Sequence, residues 1–139
     1  MGFLIDTSIW VDVERGRLTP AEVAAVTGSE PVFLSPVTIA ELEFGAQRAA
    51  APGLKQKRLV GLGRLRRSPV LLIDDTTGEI FGRLAAELAA MGRGHEFRVH
   101  DLWMASQAVQ HGLSLLTRNR KDFEDIPGLD LVLLAGSGL

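Results

Sequence analysis

The chain is 139 residues long, 15.0 kDa, with 46% hydrophobic and 23% charged residues, a profile that predicts one globular domain over residues 1–139. It has no cysteine, which excludes disulfide scaffolds, zinc–thiolate sites, iron–sulfur clusters and thiol nucleophiles together. Fifteen Lys and Arg against 17 Asp and Glu leave a net charge of −2, so a nucleic-acid partner would have to be met by a local basic patch.

No run approaches the ~20 apolar residues of a membrane span. Met1 to Asp6 reach a carboxylate without a basic leader, so the segment is not read as a signal peptide and a cytoplasmic protein is expected.

Phe3-Leu4-Ile5 is a short apolar run without alternation, suited to a strand buried on both faces. Ile9-Trp10-Val11 with Val13 opens a helical turn, and Pro20 fits the first position of a helix over Ala21–Thr27. Pro31–Leu34 predicts a second strand, and Ser35-Pro36 an N-cap and first helical position for a helix through 37–50. A basic helix follows over about 54–67. Val70–Ile73 predicts a third strand, and Thr76 with Glu79 has capping-box spacing for a helix to Met91. A helix from Leu102 to Gln110, strands at Ser114–Thr117 and Leu131–Leu134, and a small Gly-Ser tail complete the chain. Strands alternating with helices predict an α/β fold with a mostly parallel central sheet flanked by helices. In such sheets ligands bind beyond the carboxyl ends of the strands.

Acidic residues gather at those ends. Asp6 closes the first strand, Glu41 lies on the helix after the second, and Asp101 opens the helix before the fourth. Asn119 and Asp122 follow the fourth strand. Converging oxygen ligands of this kind make a hard-cation site, which can polarise a phosphoryl oxygen and activate water. Each residue alone has a plainer reading. Asp6 and Asp101 could be helix caps, Glu41 a capping-box partner of Thr38, and Asp122 a solvated surface charge. Asp74-Asp75 at the third strand end is explained as a cap. Ser8 and Thr117 lack a His–Asp partner pattern, and there is no phosphate-binding glycine loop.

The segments Leu4–Asp12, Ser35–Gly45, His100–Ala105 and Leu115–Asn119 through Asp122-Phe123 resemble, in order and spacing, the PIN-domain ribonucleases and among them the VapC-type toxins. The resemblance implies a three-layer PIN-like fold and a Mg²⁺-dependent endoribonuclease, with Mn²⁺ as a possible substitute. It matches Asp6, Glu41 and Asp101 to the family's metal-binding acids, and gives Thr7, Ser8 and Thr117 the role of orienting carboxylates or water. Asn119 occupies the slot of a fourth acid, with Asp122 able to substitute if its loop bends inward. The resemblance further implies a VapB-type antitoxin whose tail places a basic side chain in the acidic pocket. It also implies a homodimer, to which Phe3, Trp10 and Phe44 could contribute, and structured RNA such as tRNA or rRNA cut at single-stranded loops.

An acidic pocket repels RNA, so flanking cations are needed. Arg58, Arg64 and Arg67 on the basic helix, and Arg118, Arg120 and Lys121 beside the fourth strand, are the candidates. Two other readings compete. A receiver-like phosphoacceptor domain fits poorly, lacking the acidic pair after strand one and the lysine after the last strand. A catalytically weak PIN domain serving as an RNA- or protein-binding module stays open because Asn119 carries no charge.

Overall fold

A computed structural model describes residues 1–134, apart from the side chain of Phe97; the Gly-Ser tail lies outside the described residues. Four strands, β1 (Phe3–Ile5), β2 (Val32–Phe33), β3 (Ser114–Thr117) and β4 (Asp130–Leu133), form one sheet in the order β2-β1-β3-β4. All neighbours are parallel, in registers such as Leu4↔Leu115, Ile5↔Leu116 and Leu116↔Val132. Six α-helices accompany it: α1 (Thr7–Glu14), α2 (Pro20–Thr27), α3 (Pro36–Arg48), α4 (Pro52–Leu65), α5 (Asp75–Ala90) and α6 (Val99–His111). The expected three-layer α/β architecture is observed.

The apolar strands bury both faces because successive side chains alternate across the sheet. Leu4 and Leu115 join Leu84, Leu88, Leu102, Met104, Ala105 and Phe123 in one core, beneath α5 and α6. Ile5 and Leu116 join Ile9, Leu18 and Val23 in the other, beneath α1 and α2. Phe81 and Trp103 stack at 4.2 Å between ring centroids, fastening α5 to α6. Gly112 ends α6 in the left-handed region (φ 64°), and the following Leu113 amide returns to the Ala108 carbonyl at 2.9 Å.

The third strand expected at 70–73 does not form. Val70 makes one isolated parallel bridge to Leu34, and the Leu71 amide bonds the Leu34 carbonyl at 2.9 Å. The pairing stops because β2 stops. The buried Ser35 hydroxyl caps α3 through the Val37 amide, and Pro36 brings no N–H, so no further edge is offered to Leu72 and Ile73. Gln107 on α6 takes over their role as partner, its amide donating to the Leu71 carbonyl at 2.9 Å while Ser35 Oγ donates to its oxygen. The cap of α5 also differs from expectation. Asp74 and Thr77 form the capping box, two residues ahead of Thr76 and Glu79.

Chain order decides where a crevice opens. After β1 the chain crosses to β2 on one side, while β3 lies on the other. The strand order therefore reverses between β1 and β3, and their carboxyl ends place Asp6 beside Thr117.

Candidate functional site

Asp6 leaves β1 with its amide still bonded to the Leu116 carbonyl at 2.9 Å, and it is 4% exposed. It stands at the N-cap position of α1 but makes no side-chain cap bond. Its carboxylate faces the crevice instead. Ser8 Oγ donates to Asp6 Oδ2 at 2.6 Å and Thr117 Oγ1 donates to the same oxygen at 2.8 Å. Each hydroxyl has one proton, and backbone amides fix where it points. The Arg118 amide donates to Ser8 Oγ and the Asn119 amide to Thr117 Oγ1, which leaves the hydroxyl protons for Asp6. Burial pushes the Asp6 carboxyl above its ordinary range; the two hydroxyls pull it partly back, and the charge of Glu41 pushes it up again.

Glu41 lies in the second turn of α3. Thr7 Oγ1 donates to its Oε1 at 2.6 Å and also lies 2.9 Å from the buried Thr38 hydroxyl, which joins the first turns of α1 and α3. Thr38 contacts Met104 rather than capping α3, which sets aside the capping-box reading of Glu41. His100 Nδ1 stands 3.3 Å from Glu41 Oε2, a contact that local spacing does not signal.

Asp101 is the third residue of α6, whose N-cap is Arg98, so the cap reading of Asp101 does not hold. Burial pushes its carboxyl up to about 7, helped by the charges of Asp6, Asp122 and Glu41 and opposed by His100. Four acids from four regions of the chain thus meet at one place. Asp122 is half-buried and lines one cavity with Asp101, whereas Asn119 is exposed and reaches the group through its backbone amide to Thr117. The acid that completes the cluster is Asp122.

Two of the expected RNA contacts are committed elsewhere. Arg118 is 14% exposed, pairs with Asp12 at 2.9 Å and donates to the Leu134 carbonyl at 3.2 Å. Arg58 pairs with Glu14 at 2.6 Å and bonds the Gly45 carbonyl. Arg64, Arg67 and Lys121 are exposed, and Arg120 is 68% exposed with a loose 3.8 Å contact to Glu124.

The donor set is all oxygen, as a hard cation requires. Asp6, Asp101 and Asp122 form no ion pair among the described residues, so their charge is left for an external cation. Among those residues no three His, Asp or Glu side chains are already gathered at chelating distance. The chemistry of the set fits Mg²⁺ or Mn²⁺, and like charge opposes closer approach of the acids until a cation meets them.

A groove of about 910 Å³ runs from Thr7 and Glu41 along α1, α3 and α4, walled by Trp10, Val13, Leu42, Val60 and Leu65. The Trp10 Nε1 is buried without a hydrogen-bond partner.

A model of the PIN domain family matches residues 3–129. Ribonuclease VapC5 of Mycobacterium tuberculosis is 32% identical over 130 residues, covering 90% of this chain and 87% of the relative. The tRNA(fMet)-specific endonuclease VapC of Salmonella typhimurium is 28% identical, covering 91% and 93%. Among solved structures, DNA-bound VapBC of Salmonella typhimurium superposes with a TM-score of 0.82 at 27% identity, covering 97% and 99%. VapBC2 of Rickettsia felis, bound to a promoter DNA fragment, gives a TM-score of 0.79 at 25% identity.

Proposed function

Because the chain belongs to the PIN-domain family, among the VapC ribonucleases, we propose that it is the toxin of a toxin–antitoxin pair, a divalent-cation-dependent endoribonuclease. The observation that carries this reading is the convergence of Asp6, Glu41, Asp101 and Asp122 at the β1/β3 crevice, where burial and the charges of the other three push Asp101 up to about 7. Asp6, Glu41 and Asp101 would hold the ion, with Asp122 completing the set. Bound there, Mg²⁺ or Mn²⁺ supplies charge neutralisation at the phosphoryl group and lowers the cost of activating water.

The chain's own residues do the rest. Ser8 and Thr117 orient the Asp6 carboxyl by donating to Oδ2, and Thr7 orients that of Glu41 by donating to Oε1. Water attacks the phosphodiester, a P–O bond forms as the opposite P–O bond breaks, the water's proton passes to a carboxylate of the cluster, and the leaving oxygen keeps the bond's electron pair and takes a proton from solvent. Arg64, Arg67 and Lys121 supply sequence-independent phosphate contacts. The substrate we infer is structured RNA cut at exposed loops.

The antitoxin partner finds support in the groove along α1, α3 and α4, which ends at Thr7 and Glu41. An apolar partner segment lying there would carry a basic side chain to the acids, and a partner acceptor would satisfy Trp10 Nε1. A second copy of the chain would meet Phe44, 68% exposed on α3; Phe3 and Trp10 instead pack against the Ile5–Ile9 core.

The test is incubation of a total-RNA pool with purified protein in Mg²⁺, in Mn²⁺ and in chelator. Discrete fragments appear only with metal. Absence of cleavage from folded, antitoxin-free protein in either metal would favour the binding-module reading.

A further inference from the structure

Arg98 is the N-cap residue of α6, one turn before Asp101, and its side chain is 10% exposed. Its guanidinium grips Asp125 with both terminal nitrogens: Nη1 donates to Oδ1 at 2.8 Å and Nη2 to Oδ2 at 2.7 Å. Nη1 also donates to the Asp122 carbonyl at 3.3 Å. One side chain therefore ties the segment that carries Asp101 to the loop that carries Asp122.

Among the described residues, no backbone hydrogen bond joins residues 96–101 to residues 119–126. Phe123 and Ile126 pack into the same core as Leu102, which sets the separation of the two segments. Apolar packing is not directional, whereas a planar two-pronged bond fixes orientation as well. Asp101, Asp122, Arg98 and Asp125 all line one cavity of about 400 Å³.

We infer that Arg98 is a positioning residue for the cation site, its fork on Asp125 holding Asp122 opposite Asp101. This rests on the metal-dependent reading given above. Charge alone argues the other way, since a guanidinium beside a cation site repels the ion. The two accounts therefore differ in the sign of what happens when Arg98 is changed.

The experiment is an Mn²⁺ titration of the full chain followed by electron paramagnetic resonance, with folding checked by circular dichroism. Arg98→Lys keeps the charge and loses the fork. Arg98→Gln loses both, and Asp125→Glu keeps both charges while shifting the carboxylate by a methylene. Positioning predicts a dissociation constant about tenfold higher in each folded variant, the size of effect seen when a group supporting a metal ligand is lost. Repulsion alone predicts no change for Arg98→Lys and tighter binding for Arg98→Gln. Unchanged or tighter binding in those variants, beside a wild type that binds, overturns this inference and leaves the nuclease reading standing. A wild type that binds no Mn²⁺ overturns both. Should Arg98→Gln not fold, Arg98→Lys and Asp125→Glu decide.

Discussion

Burial and the charges of Asp6, Asp122 and Glu41 push the Asp101 carboxyl in one direction, from an ordinary 3.8 up to about 7. In the metal-free protein the folded state thus holds more protons than the unfolded chain between those values. Stability from this group is greatest below about 4, and falls as pH rises towards 7. Asp101→Asn removes the penalty. The variant is expected to melt about 2–4 °C above wild type in chelator at pH 8, a small figure because solvent screens a half-exposed carboxyl. At pH 3.5 the two should melt together. A variant less stable than wild type at pH 8 would contradict the electrostatic account of the cluster. Asp125 runs the opposite way: Arg98 holds its carboxyl below the usual range, so its contribution is present at neutral pH and lost under acid. The orienting hydroxyls give a second residue-level expectation. Thr117→Val keeps the volume but removes one donor to Asp6 Oδ2, and should lower the cleavage rate about tenfold or more with little change in RNA affinity. An unaltered rate would remove Thr117 from the site.

At the level of elements, local spacing located most helices and strands but misjudged what partners they find. Val70–Ile73 reads as a strand by its apolar run, yet a strand needs an edge. Ser35-Pro36 ends β2 at the residue where that edge would continue, leaving Leu72 74% exposed. Gln107 replaces the missing ladder, and it is fully buried. Gln107→Ala should therefore cost about 2–4 kcal/mol, leaving the Leu71 carbonyl and the Ser35 hydroxyl without partners, and urea unfolding measures it. A loss below about 0.5 kcal/mol would show that the 70–73 segment is held by packing instead. The basic residues teach the same lesson. Arg118 and Arg58 look available in sequence because their partners, Asp12 and Glu14, are 106 and 44 residues away. Asp6 and Asp101 are legible because they sit at a strand end and in a first helical turn, and Glu41 because it lies on the helix that follows β2. The Arg98–Asp125 fork was not, because no local pattern links positions 27 residues apart.

For the whole molecule, the strand order accounts for the site. β1 and β3 are central, their chain connections depart to opposite sides, and the crevice between them receives acids from α3, α6 and the loop after β3. A net charge of −2 does not draw RNA to this pocket; on the proposed reading the exposed Arg64, Arg67 and Lys121 do, and RNA binding is then expected to weaken steeply with salt. No helix among the described residues is long and apolar enough to cross a membrane. On the proposed reading, the carboxylate cluster at the β1/β3 crevice performs RNA cleavage. The most direct test of that reading compares wild type with folded Asp6→Asn and Asp101→Asn on one total-RNA pool in Mg²⁺, read as fragments per unit time. Discrete fragments are expected from wild type, with a loss of roughly a thousandfold or more in both variants. Fragments produced at the wild-type rate by either variant would contradict it.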